Sequence, residues 1–314
     1  MDAPKKSCMK ISVVIPVFNE EKIIGSLYER VMSAMKNWTE DFEIICVNDG
    51  SKDRSLALLV EAHQKDSRWK VISLSRNFGH QAAFLAGLTH TTGDLIAMLD
   101  GDLQDPPELL EQFKNKIEEG YDIVFGVRRK RKEGFGKRFA YKAYYRFLKR
   151  VSQVEIPLDS GDFSMIRRPV LEKILQSQEH SLFIRGIRSW VGFRQYGFEY
   201  ERDRRFGGEP KYTIKKLIQL AYNGIFSFST FPVKFLTTLG VVVISLALVY
   251  SAYAISMRLL YPEKVIQGFT TLAIAIFIFS GVQLIALGMI GEYVLRIYDE
   301  TRNRPLFIVQ DKFL

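Results

Sequence analysis

The chain has 314 residues, 47% of them hydrophobic and 25% charged, with a formal net charge of +9. That length buries a full core and has room for about two domains. Two cysteines exclude a disulfide framework and a cysteine-built metal cluster, and Cys46, inside an apolar run, reads as a small core residue. The charge is uneven: residues 1–127 carry 14 Lys and Arg against 20 Asp and Glu, and residues 128–220 carry 23 against 10. An acidic front and a basic middle point to an anionic partner for the middle, whether nucleic acid, lipid surface or phosphorylated substrate.

Met1 to Lys10 is polar and the apolar run behind it stops at Pro16, which does not read as a signal peptide. Strand-like runs follow at Ile11–Ile15, Phe42–Val47, Lys70–Leu74, Leu95–Leu99 and Asp122–Val127. Helix-like runs lie between them at Glu21–Met35, Ser55–Lys65, Gln81–Thr89 and Pro107–Glu119. The alternation predicts an α/β domain with a mostly parallel sheet. Ligands bind such sheets beyond the carboxyl ends of the strands. Three polar motifs fall there: Pro16-Val-Phe-Asn19-Glu20, Asn48-Asp49-Gly-Ser51 and Asp100-Gly-Asp102-Leu-Gln104.

Asp100 and Asp102, one residue apart at a strand tip, make an oxygen-rich site for a hard divalent ion; a surface turn is the plainer reading of the same residues. Glu20 reads either as a first-turn acid favoured by the helix dipole or as an acceptor for a base or sugar edge. Asp49 reads as a turn residue or as an acceptor for a nucleobase N–H, and Ser51 as a helix N-cap.

Beyond residue 127, Gly134–Val151 is basic and aromatic. Arg138, Lys142, Arg146 and Lys149 share one helical face, as in an interfacial amphipathic helix. Asp159-Ser-Gly-Asp162 reads as a turn before a strand at Phe163–Ile166, and Tyr212–Phe228 as a juxtamembrane amphipathic helix. Phe235–Met257 and Val265–Gly291 carry no charged side chain, and each exceeds the roughly 20 apolar residues that span a bilayer. Lys211, Lys215, Lys216 and Lys234 precede the first stretch; Arg296, Arg302 and Arg304 follow the second. The positive-inside rule then places both termini in the cytoplasm, on a multi-pass inner-membrane protein. The expected division is a catalytic domain over 1–210, a juxtamembrane helix over 211–230, two transmembrane helices over 231–295 (about 235–257 and 265–291) and a cytoplasmic tail over 296–314.

Together the three motifs and Asp105-Pro-Pro107 resemble family 2 glycosyltransferases of the GT-A (Rossmann-like) fold, in the branch that charges polyprenyl phosphates. The resemblance covers nearly the whole chain. It implies an inverting, metal-dependent transfer of one sugar, glucose from UDP-glucose, to undecaprenyl phosphate, supplying lipid-linked sugar for lipopolysaccharide or cell-wall glycan modification. By resemblance, Pro16, Glu20 and Asp49 hold the nucleoside, with Asn19 and Ser51 in the same donor loops. Asp100 serves the ribose and the metal shell, Asp102 the metal, and Gln104 a metal-shell position. The metal is Mg²⁺ or Mn²⁺.

Arg205-x-x-Gly208-x-Pro-Lys211 is similar to the family's R-x-x-G-x-S-K loop over the donor phosphates, with Pro210 where serine is usual. Arg128 and Arg138 match its acceptor-phosphate pair. Asp159 and Asp162 occupy the general-base slot, although a phosphate acceptor, already about −1.5 to −2 in charge at neutral pH, needs little deprotonation. Expected partners are the nucleotide sugar, the polyprenyl phosphate and the bilayer, without nucleic acid; Gly281, Gly288 and Gly291 suit close helix contact in a homo-oligomer. Three alternatives stand beside this reading. One is the same chemistry from GDP-mannose or a UDP-aminoarabinose derivative. The others are a processive polysaccharide synthase and a non-catalytic lipid-binding scaffold.

Overall fold

All seven residues of β1 (Ile11–Val17) are buried, as expected of a strand covered on both faces. A computed structural model describes the chain over residues 9–129, 160–177, 183–202, 231–260, 268–302 and 304–314. The chain divides into two units. The first comprises Met1–Lys149, Val154–Ile214 and Pro305–Leu314, the second Arg150–Gln153 and Lys215–Arg304.

The first unit holds one sheet of eight strands: β1, β2 (Phe42–Asn48), β3 (Trp69–Leu74), β4 (Leu95–Met98), β5 (Ile123–Arg128), β6 (Ser160–Arg167), β7 (Gln195–Tyr200) and β8 (Val309–Phe313). Their spatial order is β7-β5-β6-β4-β1-β2-β3-β8. β1 pairs in parallel with β2 and β4, β2 with β3, and β5 with β7. β6 runs antiparallel between β4 and β5, and β8 antiparallel on β3. The sheet is therefore mixed, four parallel pairings to three antiparallel, where the βαβ rhythm predicted mostly parallel. The rhythm covers only the first five strands. The antiparallel strands come from later in the chain, where no helix is required to cross back.

Helices cover both faces because alternate strand residues point to opposite sides. Ile11, Val13 and Ile15 of β1 pack in one core layer with Leu27, Val31 and Met35 of α1 (Ile24–Lys36) and Leu59 of α2 (Ser55–Lys65). Phe113 and Ile117 of α4 (Leu110–Glu118), which a 3₁₀ turn precedes, join that layer. Val14 packs in the other layer with Ala83, Phe84 and Ala86 of α3 (His80–Leu88), Val170 and Leu171 of α5 (Arg168–Gln176) and Ile187 of α6 (Ile184–Trp190).

Within this sheet a buried carboxylate is fully satisfied by neighbouring strands and loops. Glu43 of β2 is 2% exposed and accepts hydrogen bonds from Ser12 Oγ (2.6 Å), Thr92 N (2.7 Å), Thr92 Oγ1 (2.9 Å) and Lys70 Nζ (2.9 Å). Burial pushes its pKa up, but the bonds from Ser12, Lys70 and Thr92 outweigh burial and hold it at about 2.

The second unit contains two long helices, α7 (Phe231–Leu260) and α8 (Phe269–Thr301). They form where the charge-free stretches lie, but the transmembrane expectation is corrected. Among the described residues, no helix is long and apolar enough to cross a membrane. Freedom from charge is not continuous apolar length. α8 also runs on past its charge-free stretch, through Glu292 to Glu300. The multi-pass inner-membrane localisation, with catalytic domain and termini cytoplasmic, rested on those spans and is withdrawn with them. Leu246, Val249, Leu284 and Leu287 are exposed on these helices.

Candidate active site

The polar residues gather where the parallel strands end, and the strand register explains why. β4 runs antiparallel to β6 with Met98 opposite Ser164. Two residues further along, that register brings Asp100 opposite Asp162. Asp162 lies inside β6, so the segment expected as a turn at Ser160–Asp162 is strand.

His80, the first residue of α3, closes this pair. Its Nε2 is 3.1 Å from Asp100 Oδ1 and 3.7 Å from Asp162 Oδ2. Asp162 is 7% exposed. Gln81 Nε2 donates to its Oδ2 at 3.0 Å and Arg185 Nε to its Oδ1 at 3.1 Å. Arg185 also reaches the Ser160 carbonyl at 2.9 Å, and Gln81 Oε1 accepts the Ile184 N–H at 3.0 Å. Asp162 is thereby clamped by α3 on one side and α6 on the other. Burial raises the pKa of Asp100, but His80, Arg202 and Arg128 outweigh it and bring the carboxyl down to about 2.

Gly101 separates the two motif aspartates. A Cβ there would stand 2.9 Å from the Pro16 carbonyl oxygen, so the loop crosses the end of β1 without room for a side chain. Asp102 Oδ1 accepts the Gln104 N–H at 3.2 Å, and Leu103 takes a left-handed φ of 57° between them. Asp105 is fully buried. Its Oδ1 accepts from the Tyr200 hydroxyl and from Arg202 Nε at 3.1 Å, and its Oδ2 is 3.9 Å from Arg128 NH2. Arg202 NH2 lies 3.7 Å from Asp100 Oδ2 and 3.7 Å from Asp102 Oδ2. Burial and the nearby Asp100 charge raise the Asp105 pKa against the pull of Arg202, Arg128 and Tyr200.

The loops after β1 and β2 hold each other. Asn19, exposed and left-handed at φ 53°, donates its N–H to Ser51 Oγ at 3.0 Å and accepts the Lys52 N–H on Oδ1 at 2.8 Å. The Glu20 N–H donates to Ser55 Oγ at 2.9 Å. Ser51 is no N-cap: α2 starts at Ser55, and Ser51 serves the loop pairing instead. Asp49 is buried and accepts the Phe78 and Gly79 N–H groups at 2.7 and 3.0 Å, so it ties the β2 loop to the entrance of α3. Burial raises its pKa despite those bonds. Gly50 permits this turn: its φ is +63°, and a Cβ would fall 2.4 Å from the Arg76 carbonyl carbon.

His80, Asp100 and Asp162 each offer a ligand atom within 4.8 Å of the others. Asp100 Oδ1 is buried, and His80 Nε2 lies 3.1 Å from it. A buried carboxylate oxygen, a second carboxylate and an imidazole nitrogen fit a divalent ion. The grouping differs from the expected Asp100, Asp102 and Gln104 set. Asp102 is linked to Asp100 through Arg202, and Gln104 is held to Asp102 by its backbone. Asp159, Arg138, Arg205 and Lys211, with Pro210, the 134–151 helix and the Tyr212–Phe228 helix, lie outside the described residues.

Six residues of the site escaped the sequence reading: His80, Gln81, Asp105, Arg185, Tyr200 and Arg202. The strand-end rule reaches two of them. Polar motifs follow β1, β2 and β4, and His80-Gln81 follows β3 in the same way. Asp105 stood inside the quoted Asp100–Pro107 run. Arg185, Tyr200 and Arg202 carry no local signal.

Residues 12–175 match the model of glycosyl transferase family 2. The uncharacterized glycosyltransferase YkcC of Bacillus subtilis is 42% identical over 97% of this chain and 94% of its own length. The prophage bactoprenol glucosyl transferase homolog of Escherichia coli is 39% identical over 96% and 99%. The bactoprenol glucosyl transferase of Shigella phage SfX is 38% identical over 97% and 100%.

Proposed function

This chain belongs to glycosyl transferase family 2, and from that premise we propose that it transfers a single glucose from UDP-glucose to a polyprenyl phosphate, with inversion at the anomeric carbon. The observation that carries this reading is the near-full-length likeness to relatives named bactoprenol glucosyl transferase. The carboxylate cluster at the strand ends supports it with a place for a diphosphate and its ion.

The residues divide by chemistry. Pro16, Asn19, Glu20, Asp49 and Ser51 form the nucleoside side, with Asp100 at the ribose. Asp100 and Asp102 hold Mg²⁺ or Mn²⁺, with His80, Asp162 and Gln104 beside them. When bound, the ion supplies Lewis-acid stabilisation of charge on the departing diphosphate. Arg205 and Lys211 meet the donor phosphates. Arg128 and Arg138 meet the acceptor phosphate, for which the guanidinium fork supplies paired donors. Asp162, held by Gln81 and Arg185, orients the sugar or the arginine. An acceptor phosphate with its second pKa near 6 attacks without a base.

The test is a panel of nucleotide sugars incubated with the purified chain, undecaprenyl phosphate and Mn²⁺ or Mg²⁺, read by product mass. The expected result is a hexosyl lipid from UDP-glucose alone. A product from GDP-mannose or a UDP-aminoarabinose derivative would reassign the donor; no lipid product from any sugar would overturn the proposal.

A further inference from the structure

We propose that Arg202 is a built-in counter-cation for Asp100 and Asp102, and that Asp105 is the positioning residue that holds it there and limits its competition with the divalent ion. This rests on the reading above that Asp100 and Asp102 bind the ion.

The contacts of Arg202 are unequal. Its Nε donates an aligned hydrogen bond to Asp105 Oδ1 at 3.1 Å. Its NH2 reaches Asp100 and Asp102 only as ion-pair contacts, both at 3.7 Å. Asp105 is in turn fixed by burial and by the Tyr200 hydroxyl. Its second oxygen accepts no hydrogen bond and faces Arg128. One buried carboxylate thus anchors a guanidinium whose other end lies against the two motif aspartates.

The electrostatics follow. Two carboxylates at one strand tip repel, and a nearby cation relieves that repulsion. A divalent ion at the same carboxylates repels the cation. The guanidinium must give up its two long contacts when the ion arrives. It keeps the short one, because Nε and NH2 are different ends of a rigid fork. Arg202 then stays beside the ion, where the leaving diphosphate gathers charge. Without the Asp105 anchor, Arg202 is free to close on Asp100 and Asp102 as a full salt bridge. The ion then has a competitor that the wild type keeps at a distance.

The experiment is Mn²⁺ titration of the purified full chain without donor or acceptor, read by loss of the free-ion paramagnetic resonance signal. Wild type, Arg202→Gln, Asp105→Asn and the double variant are compared, with circular dichroism for folding. Arg202→Gln is expected to tighten Mn²⁺ binding and Asp105→Asn to weaken it, each at least about fivefold. In the Arg202→Gln background, Asp105→Asn should cost less than about twofold. Equal losses in both backgrounds would mean that Asp105 acts through its own charge, which overturns the anchoring role. Unchanged or weaker binding in Arg202→Gln overturns the counter-cation. If Asp105→Asn does not fold, Tyr200→Phe removes a bond to Asp105 while keeping every charge. It should weaken binding about twofold only when Arg202 is present, and no such difference overturns the anchor. Absence of Mn²⁺ binding by the wild type is a separate result, which overturns the metal reading beneath.

Discussion

Asp162 stands opposite Asp100 because β6 runs antiparallel to β4, and His80 Nε2 touches both carboxylates, at 3.7 and 3.1 Å. Asp102, on the other side of Gly101, marks Asp100 in the sequence, but nothing local joins Asp100 to Asp162. The pair makes the site: the buried oxygen of one carboxylate meets His80, and the other carboxylate is held between Gln81 and Arg185.

Asp102→Ala is expected to abolish transfer while the chain stays folded, because Asp102 is only partly buried and one backbone bond depends on it. The check is transfer by the purified variant, alongside wild type stripped with EDTA and then resupplied with Mn²⁺. Undiminished activity in either the variant or the stripped enzyme would remove the metal role.

Asp162→Asn should keep most of its contacts, since an amide still accepts from Arg185 or Gln81 through its oxygen. A general base contributes typically 10²–10⁴-fold; the orienting role predicts a loss below about 10²-fold. The pH–rate profile should keep an acid limb near pH 6, that of the acceptor phosphate. A loss of about 10³-fold or more, with the acid limb gone, would make Asp162 the base.

Glu43 gives the sheet unit an acid-sensitive stability. Its carboxyl is held at about 2 against an ordinary 4.5. A lowered folded-state pKa adds stability that is present above the unfolded value and lost as pH falls through the folded one. The window is therefore pH 4.5 down to about 2, and the contribution is about 3 kcal/mol. Urea unfolding of wild type and Glu43→Gln between pH 3 and 7, followed by the fluorescence of buried Trp69, should show the difference shrinking on acidification. A difference that stays constant with pH would contradict it.

Gly101→Ala should cut transfer at least about tenfold with little change in unfolding temperature. The added Cβ would meet the Pro16 carbonyl oxygen at 2.9 Å, a backbone atom that moves only with β1. The relief is a shift of the loop carrying Asp100 and Asp102. Donor binding and transfer rate, measured together, test it; a variant as active as wild type would show that the loop has slack.

The sequence by itself determined the first five strands, the helices between them and the placement of three acidic or polar motifs at the strand ends. Apolar runs and helical spacing report local burial, which is a local property. Only the tertiary structure decided that Ser160–Asp162 is strand, that His80 and Gln81 meet Asp162, and that Tyr200 and Arg202 close on Asp105. It also decided that β8 completes the sheet edge beside β3. Such pairings depend on strand register and on contacts between distant segments, and no periodicity records them. The charge-free stretches after residue 230 marked two helices correctly, but a count of missing charges did not settle whether they cross a membrane. That is decided by the length and apolar character of the helices as folded, and among the described residues neither is long and apolar enough.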